Sequence, residues 1–181
     1  MVIDHIGEFF PQSPMWFRLI GRVSAPLFFY CSAWGFYYTS NRKKYLIRLY
    51  LSGILMSIGN IAISFWSGKE TLISNNIFVT LFLGCMVVSL FDMKNTNKEK
   101  IKRLILLVVQ QITAFLLCAV FAELLQIPDF IDTYMLYYGY GALFGSAVFT
   151  EGSIWFVLFF VIVYFLKEKK ACLSAFVLSF A

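Results

Sequence analysis

"KNTNKEKIKRLILLVVQQITAFLLCAVFAELL", Lys94–Leu125, decides the class of fold. It begins with a basic, polar stretch. From Leu104 onward it becomes an apolar run of roughly twenty residues, the length that crosses the hydrocarbon core of a bilayer. Runs of similar length recur at Leu19–Tyr38, Leu46–Trp66 and Leu72–Phe91, and a shorter one lies at Ile154–Leu166. The whole chain of 181 residues is 60% hydrophobic and only 14% charged, with a mean hydropathy of +0.78. A soluble domain carries about 25% charged residues, so charge this sparse cannot cover a water-soluble surface. The expectation is an all-α, polytopic transmembrane helical bundle of about six to eight spans, forming a single integral membrane domain over residues 1–181. The apolar half-spans at Met1–Phe10 and Ala171–Ala181 suggest a chain cut at both ends.

The basic residues lie at Arg42–Arg48, Lys94–Arg103 and Lys167–Lys170. An excess of Lys and Arg marks cytoplasmic loops, so these three segments are expected inside. No basic groove interleaved with exposed aromatics is visible, which argues against nucleic acid as a partner. If the acidic IPDFID segment is outside and Lys167–Lys170 inside, then Asp129–Leu166 crosses once. Tyr134–Thr150, rich in Tyr and Gly, then reads as an interfacial or re-entrant segment. Cys31, Cys85, Cys118 and Cys172 are isolated in apolar runs, a pattern that offers no zinc site and suits core packing. No basic n-region precedes the first apolar stretch, so a cleavable signal peptide is not expected.

The first 28 residues hold an unusual concentration of charge for so apolar a chain: Asp4, His5, Glu8, Arg18 and Arg22. A charged residue within a span costs at least a few kcal/mol and is a functional candidate by default. Asp4 and Glu8 share a helix face, with His5 about 100° round from Asp4. FPQSPMWF would form the hairpin that brings Arg22 to the same end. A partly dry pocket there strengthens each interaction, and a histidine in it can move protons near neutral pH. The plainer reading is structural: Asp4 and Arg22 neutralise one another, and Glu8 and Arg18 snorkel to the interface.

Other polar positions carry weaker signals. Asn60 and the Gln110–Gln111 pair read as bridges between helices. Glu123 reads as a solvated helix end, Pro26 as a kink and Asn75–Asn76 as a cap. Gly139-Tyr140-Gly141 is a channel-filter tripeptide without a surrounding pore.

"MVIDHIGEFFP", then "WFRLIGRVSAPLFFYCSAWGFYYTSNRKKYLIRLYL", and later "NNIFVTLFLGCMVVSL" resemble the TraX family. The Asp-His pair and the following R-x-S-x-P-L-F stretch combine spacing, charge and span position. The matching positions are Asp4, His5, Gly7, Gly21, Arg22, Pro26 and Phe28, with Asn41-Arg42-Lys43-Lys44-Tyr45 and Arg48. Family members usually begin further upstream and continue to an aromatic Tyr-Pro-Leu-His segment, which this chain lacks.

The resemblance implies a bacterial inner-membrane acetyltransferase, in a family named for conjugative pilin acetylation. Acetyl-CoA would be the co-substrate, and the acceptor an amine (a protein N-terminus) or a hydroxyl of a protein or cell-envelope component. His5 would be the general base or a transient acyl carrier, Asp4 its support, and Arg22 the partner of developing negative charge. Arg42, Lys43, Lys44 and Arg48 would hold the donor's phosphates at the cytoplasmic face. The rival class is a non-enzymatic scaffold or small transporter whose Asp4, His5 and Arg22 form a clasp or proton relay.

Overall fold

The computed structural model describes residues 14, 16–67, 76–91, 97–124, 133–150 and 152–166, with side chains at all of these except 17–25, 64–67, 122, 123 and 133–136. Six helices lie among the described residues: α1 (Trp16–Tyr38), α2 (Arg42–Ser67), α3 (Ile77–Phe91), α4 (Asn97–Leu124), α5 (Thr133–Phe144) and α6 (Ser153–Leu166). No strand occurs among them.

The helix starts correct the reading of the basic segments as loops. The Asn41 side-chain oxygen accepts a hydrogen bond from the Lys44 backbone N–H at 3.0 Å, and the Tyr45 N–H donates to the Asn41 carbonyl at 3.1 Å. That is an N-cap, so the basic residues from Arg42 to Arg48 form the first two turns of α2. Likewise α4 starts at Asn97 and takes Lys98–Arg103 into the helix. Lys and Arg are good helix formers, and their long stems let the charge reach water while the helix continues into apolar surroundings.

Among the described residues, two helices are long and apolar enough to cross a membrane: Arg42–Ile63 within α2 and Asn97–Phe121 within α4. In a soluble protein such helices are buried. Here only 11% of each apolar window is covered by protein. On α2, Ile47, Leu51, Leu55 and Ile58 form an outward stripe, with Leu55 69% exposed. On α4, Ile105, Val109, Ile112 and Leu116 do the same. A contiguous apolar surface of this extent calls for lipid or another protein against it.

The packing divides into two compact units, Met1–Ser40 with Phe160–Ala181, and Asn41–Phe159. In the first, aromatic rings join α1 to the end of α6. Phe29 meets Phe160 edge-on at 6.2 Å, and Phe36 meets Tyr164 at 6.3 Å. All four rings are buried. In the second unit, Val79 and Leu83 of α3, Ala142 of α5 and Val157 form an apolar core. Phe121 of α4 packs on Tyr140 and Phe144 of α5 at 5.8 and 5.7 Å.

α5 has 12 residues, about 18 Å of helix and short of the ~30 Å hydrocarbon core. It ends at Gly145, whose φ of +67° is accessible to glycine and costly to most side chains. The chain then doubles back, and Phe149 returns beside α5, stacking on Tyr137 at 5.1 Å and on Phe115 of α4 at 5.7 Å. Within Tyr134–Thr150 the described residues form a helix followed by a turn back along it. Gly139-Tyr140-Gly141 is helical here, unlike the extended backbone of a filter.

The turn packs so closely that a Cβ on Gly141 would lie 2.6 Å from the Phe149 Cβ and 2.8 Å from its carbonyl oxygen. Gly141→Ala is therefore expected to cost about 1–3 kcal/mol, the usual penalty of overpacking. Gly59→Ala, whose Cβ would meet nothing within 4 Å, should cost nothing. Thermal denaturation of the two variants in detergent checks this; equal midpoints would refute the close approach.

Candidate functional site

Asp4 and His5 lie outside the described residues. Arg22 falls in α1, one helical turn before Pro26, and its side chain lies outside the described set. The other predicted group is fully placed. Lys43, Lys44 and Arg48 are exposed and Arg42 is half-buried. Lys44 and Arg48, four residues apart, share the outward face of α2 with Leu51 and Leu55. Arg42 is in register with Leu46, Leu49 and Gly53 on the inward face and comes within electrostatic reach of Cys85 on α3. The four cations thus crown one helix end but divide between two faces. Together with the partial positive charge of the α2 N-terminus, they make that end anion-attracting.

The polar residues of the second unit build a more closed arrangement. Gln110 and Gln111 lie at the midpoint of α4, facing the end of α5. The Gln110 amide N–H donates to the Phe144 carbonyl at 2.9 Å. The Gln111 amide donates to the Gly145 carbonyl at 2.8 Å and to the Gln110 side-chain oxygen at 2.7 Å. The Gln111 oxygen in turn accepts the Ala147 N–H at 2.7 Å. From α2, the Tyr50 hydroxyl donates to the Leu143 carbonyl at 2.6 Å. A helix that ends away from water leaves carbonyls without partners. Here two glutamines and a tyrosine satisfy them, which is what allows α5 to stop halfway along α4. The bridging role read for the Gln pair from sequence holds; Tyr50 gave no signal beyond its aromatic character.

Asn76 stands before α3 at the cap position, but its amide N–H donates to α2 instead, to the Gly53 carbonyl at 2.8 Å and the Ser57 hydroxyl oxygen at 2.7 Å. The cap expected from Asn75–Asn76 is therefore, at Asn76, a clamp between helices. Its side-chain oxygen is buried without a partner, as is the hydroxyl of fully buried Ser146 beside the α5 turn.

Between the last turns of α3 and the first turns of α4 lies an open cleft of about 630 Å³. Met86 and Leu90 form one wall, Leu106 and Leu107 the other. Glu99, Lys102 and Arg103 line it at the end nearer the start of α4, and Gln110 lines it further along that helix. In the sequence Lys102 and Arg103 mark topology only. Their position one turn before an apolar run, on the same helix as Gln110, was the available signal. Of the cysteines, Cys85 and Cys118 are buried and suit packing, whereas Cys31 is exposed.

A family model described as TraX protein matches residues 1–179. No curated protein and no solved structure matches the chain.

Proposed function

Because the chain belongs to the TraX family, we propose that it is a multi-pass inner-membrane acetyltransferase that transfers an acetyl group from acetyl-CoA to an amine or hydroxyl acceptor. The observation that carries this reading is the extent of the family match, which takes in the Asp4-His5 pair and the Arg22-to-Phe28 stretch. The exposed apolar faces of α2 and α4 support the membrane setting.

In this reading His5 removes a proton from the acceptor as it attacks the thioester carbonyl. Asp4 orients the imidazole and stabilises its cationic form. Arg22 supports the negative charge that develops on the carbonyl oxygen. The carbon–sulfur bond breaks, a carbon–nitrogen or carbon–oxygen bond forms, and the proton passes from the imidazolium to the departing thiolate, giving free coenzyme A. Arg42, Lys43, Lys44 and Arg48 attract the phosphates of the donor to the inner face. If Asp4, His5 and Arg22 lie nearer the outer side, either the donor's pantetheine arm reaches into the bundle or the acceptor enters deeply. Comparing acetylation of membrane-protein N-termini and envelope polymers, in cells with and without the protein, tests the reading.

The orientation is testable by itself. α2 and α4 start at the cytoplasmic face, α5 enters from outside and turns at Gly145, and α6 completes the single crossing of Asp129–Leu166. Single cysteines near Gln12 and Asp129 should react with an impermeant reagent added outside. Cysteines near Lys43, Asn97 and Lys169 should not. Strong outside labelling at Lys169 would mean that Asp129–Leu166 crosses twice.

The second reading is a transporter or scaffold. It is favoured by one feature, the short α5 with its unwound turn at the midpoint of α4, since broken helices at mid-membrane line transport sites. Proton-coupled solute uptake in vesicles, without acetyl transfer, would select it.

A further inference from the structure

We propose that the cleft between α3 and α4 binds an anionic phospholipid of the inner leaflet, with the headgroup at Lys102 and Arg103 and one acyl chain lying inward along Leu106 and Leu107. The proposal rests on the membrane orientation given above and is independent of acetyl transfer.

Three observations converge on this occupant. The first is polarity along the cleft. Charge is confined to the end nearer the start of α4, at Glu99, Lys102 and Arg103, while Met86, Leu90, Leu106 and Leu107 make the walls apolar. Phospholipids have the same order of polarity. The second is depth. Lys102 and Gln110 are eight residues apart on a continuous helix, about 12 Å. Half of the ~30 Å hydrocarbon core is about 15 Å, so the cleft runs from headgroup level towards the midplane. The third is access. Leu106 is 57% exposed, so the apolar wall opens sideways, where a lipid could enter from the bilayer.

The charge at that end selects the headgroup. Lys102 and Arg103 carry the kind of N–H donors that suit a phosphodiester. Basic pockets between membrane helices on the cytoplasmic side are suited to anionic headgroups. Glu99 lies three and four residues before the two cations, the spacing at which helical side chains are neighbours. Its carboxylate can accept hydrogen bonds from headgroup hydroxyls. That combination fits a phosphodiester carrying a polyol, as in phosphatidylglycerol.

The test uses the purified protein in phosphatidylcholine nanodiscs, with phosphatidylglycerol added in steps and binding read by native mass spectrometry. Saturable binding is expected, weakened about tenfold or more in Lys102→Gln/Arg103→Gln. It should be nearly unchanged in Lys98→Gln/Lys100→Gln, which removes equal charge from outside the cleft lining. Equal weakening by both pairs would reduce the effect to general surface charge and overturn the site. Unchanged binding in the first pair would overturn it too, as would coenzyme A displacing the lipid, which would give the cleft to the acetyl donor. Failure of the orientation would show separately, as outside labelling near Asn97.

Discussion

Replacing His5 with glutamine is expected to lower acetyl transfer by roughly 10²–10⁴-fold, the usual worth of a general base, while leaving expression and thermal stability nearly unchanged. His5 is the only histidine in the chain. A step that needs a group titrating near neutral pH therefore falls on it, unless a carboxylate is strongly shifted. Glutamine keeps much of the size and the hydrogen-bonding capacity but cannot take up the proton. Arg22→Lys should also impair turnover, because the ammonium retains the charge and loses the planar fork. The measurement is initial rate against acceptor concentration, with a thermal melt on the same preparation. Full activity in His5→Gln would remove the imidazole from the mechanism. A protein that no longer folds would point to the structural clasp instead.

The second large effect is on stability. Gln111→Leu should destabilise the bundle by about 1–3 kcal/mol, the cost of leaving buried backbone groups without partners. In the native arrangement Gln111 serves the Gly145 carbonyl, the Ala147 N–H and the Gln110 side chain together. Leucine has similar bulk and is favoured in an apolar helix, so the loss would come from the polar groups it abandons. Single interhelical hydrogen bonds in membrane proteins average only about 0.6 kcal/mol. A larger penalty here would mean that the bonds act as a unit at the α5 turn. Thr113→Val is the control, since the Thr113 hydroxyl bonds only one turn back, to the Val109 carbonyl at 2.9 Å. If the two variants unfold at the same denaturant concentration, the Gln pair does not hold the turn.

Much of the fold was legible because helices that expose apolar faces leave a coarse mark in the sequence. Long apolar runs with basic ends at Arg42 and Lys98 announced α2 and α4, and the amides of Gln110 and Gln111 within an apolar run announced a contact between helices. Helix boundaries were less legible. Charged residues at Arg42–Arg48 and Asn97–Arg103 look like loop, yet lysine and arginine extend a helix into the interface at little cost. Asparagine commonly caps its own helix, so the sequence assigns Asn76 to α3; the proximity of Gly53 and Ser57 redirects its amide, and that is a tertiary fact. The four cations proposed for the donor are near neighbours in sequence. Helical periodicity alone separates Arg42 from Lys44 and Arg48, and the structure places them on different faces. The cleft at Lys102 and Arg103 needed α3 and α4 side by side, which no local pattern specifies. The Asp4-His5 pair was recognised through charge in an apolar segment and through family resemblance, and it lies outside the described residues.

The most direct measurement is transfer of label from radiolabelled acetyl-CoA, using purified protein reconstituted with membranes that lack it. The account predicts covalent label on a protein N-terminus, envelope polymer or other hydroxyl-bearing component, proportional to the amount of protein and falling to near background with His5→Gln. Incorporation no greater than in membranes without the protein, from a preparation shown to be folded, would contradict it.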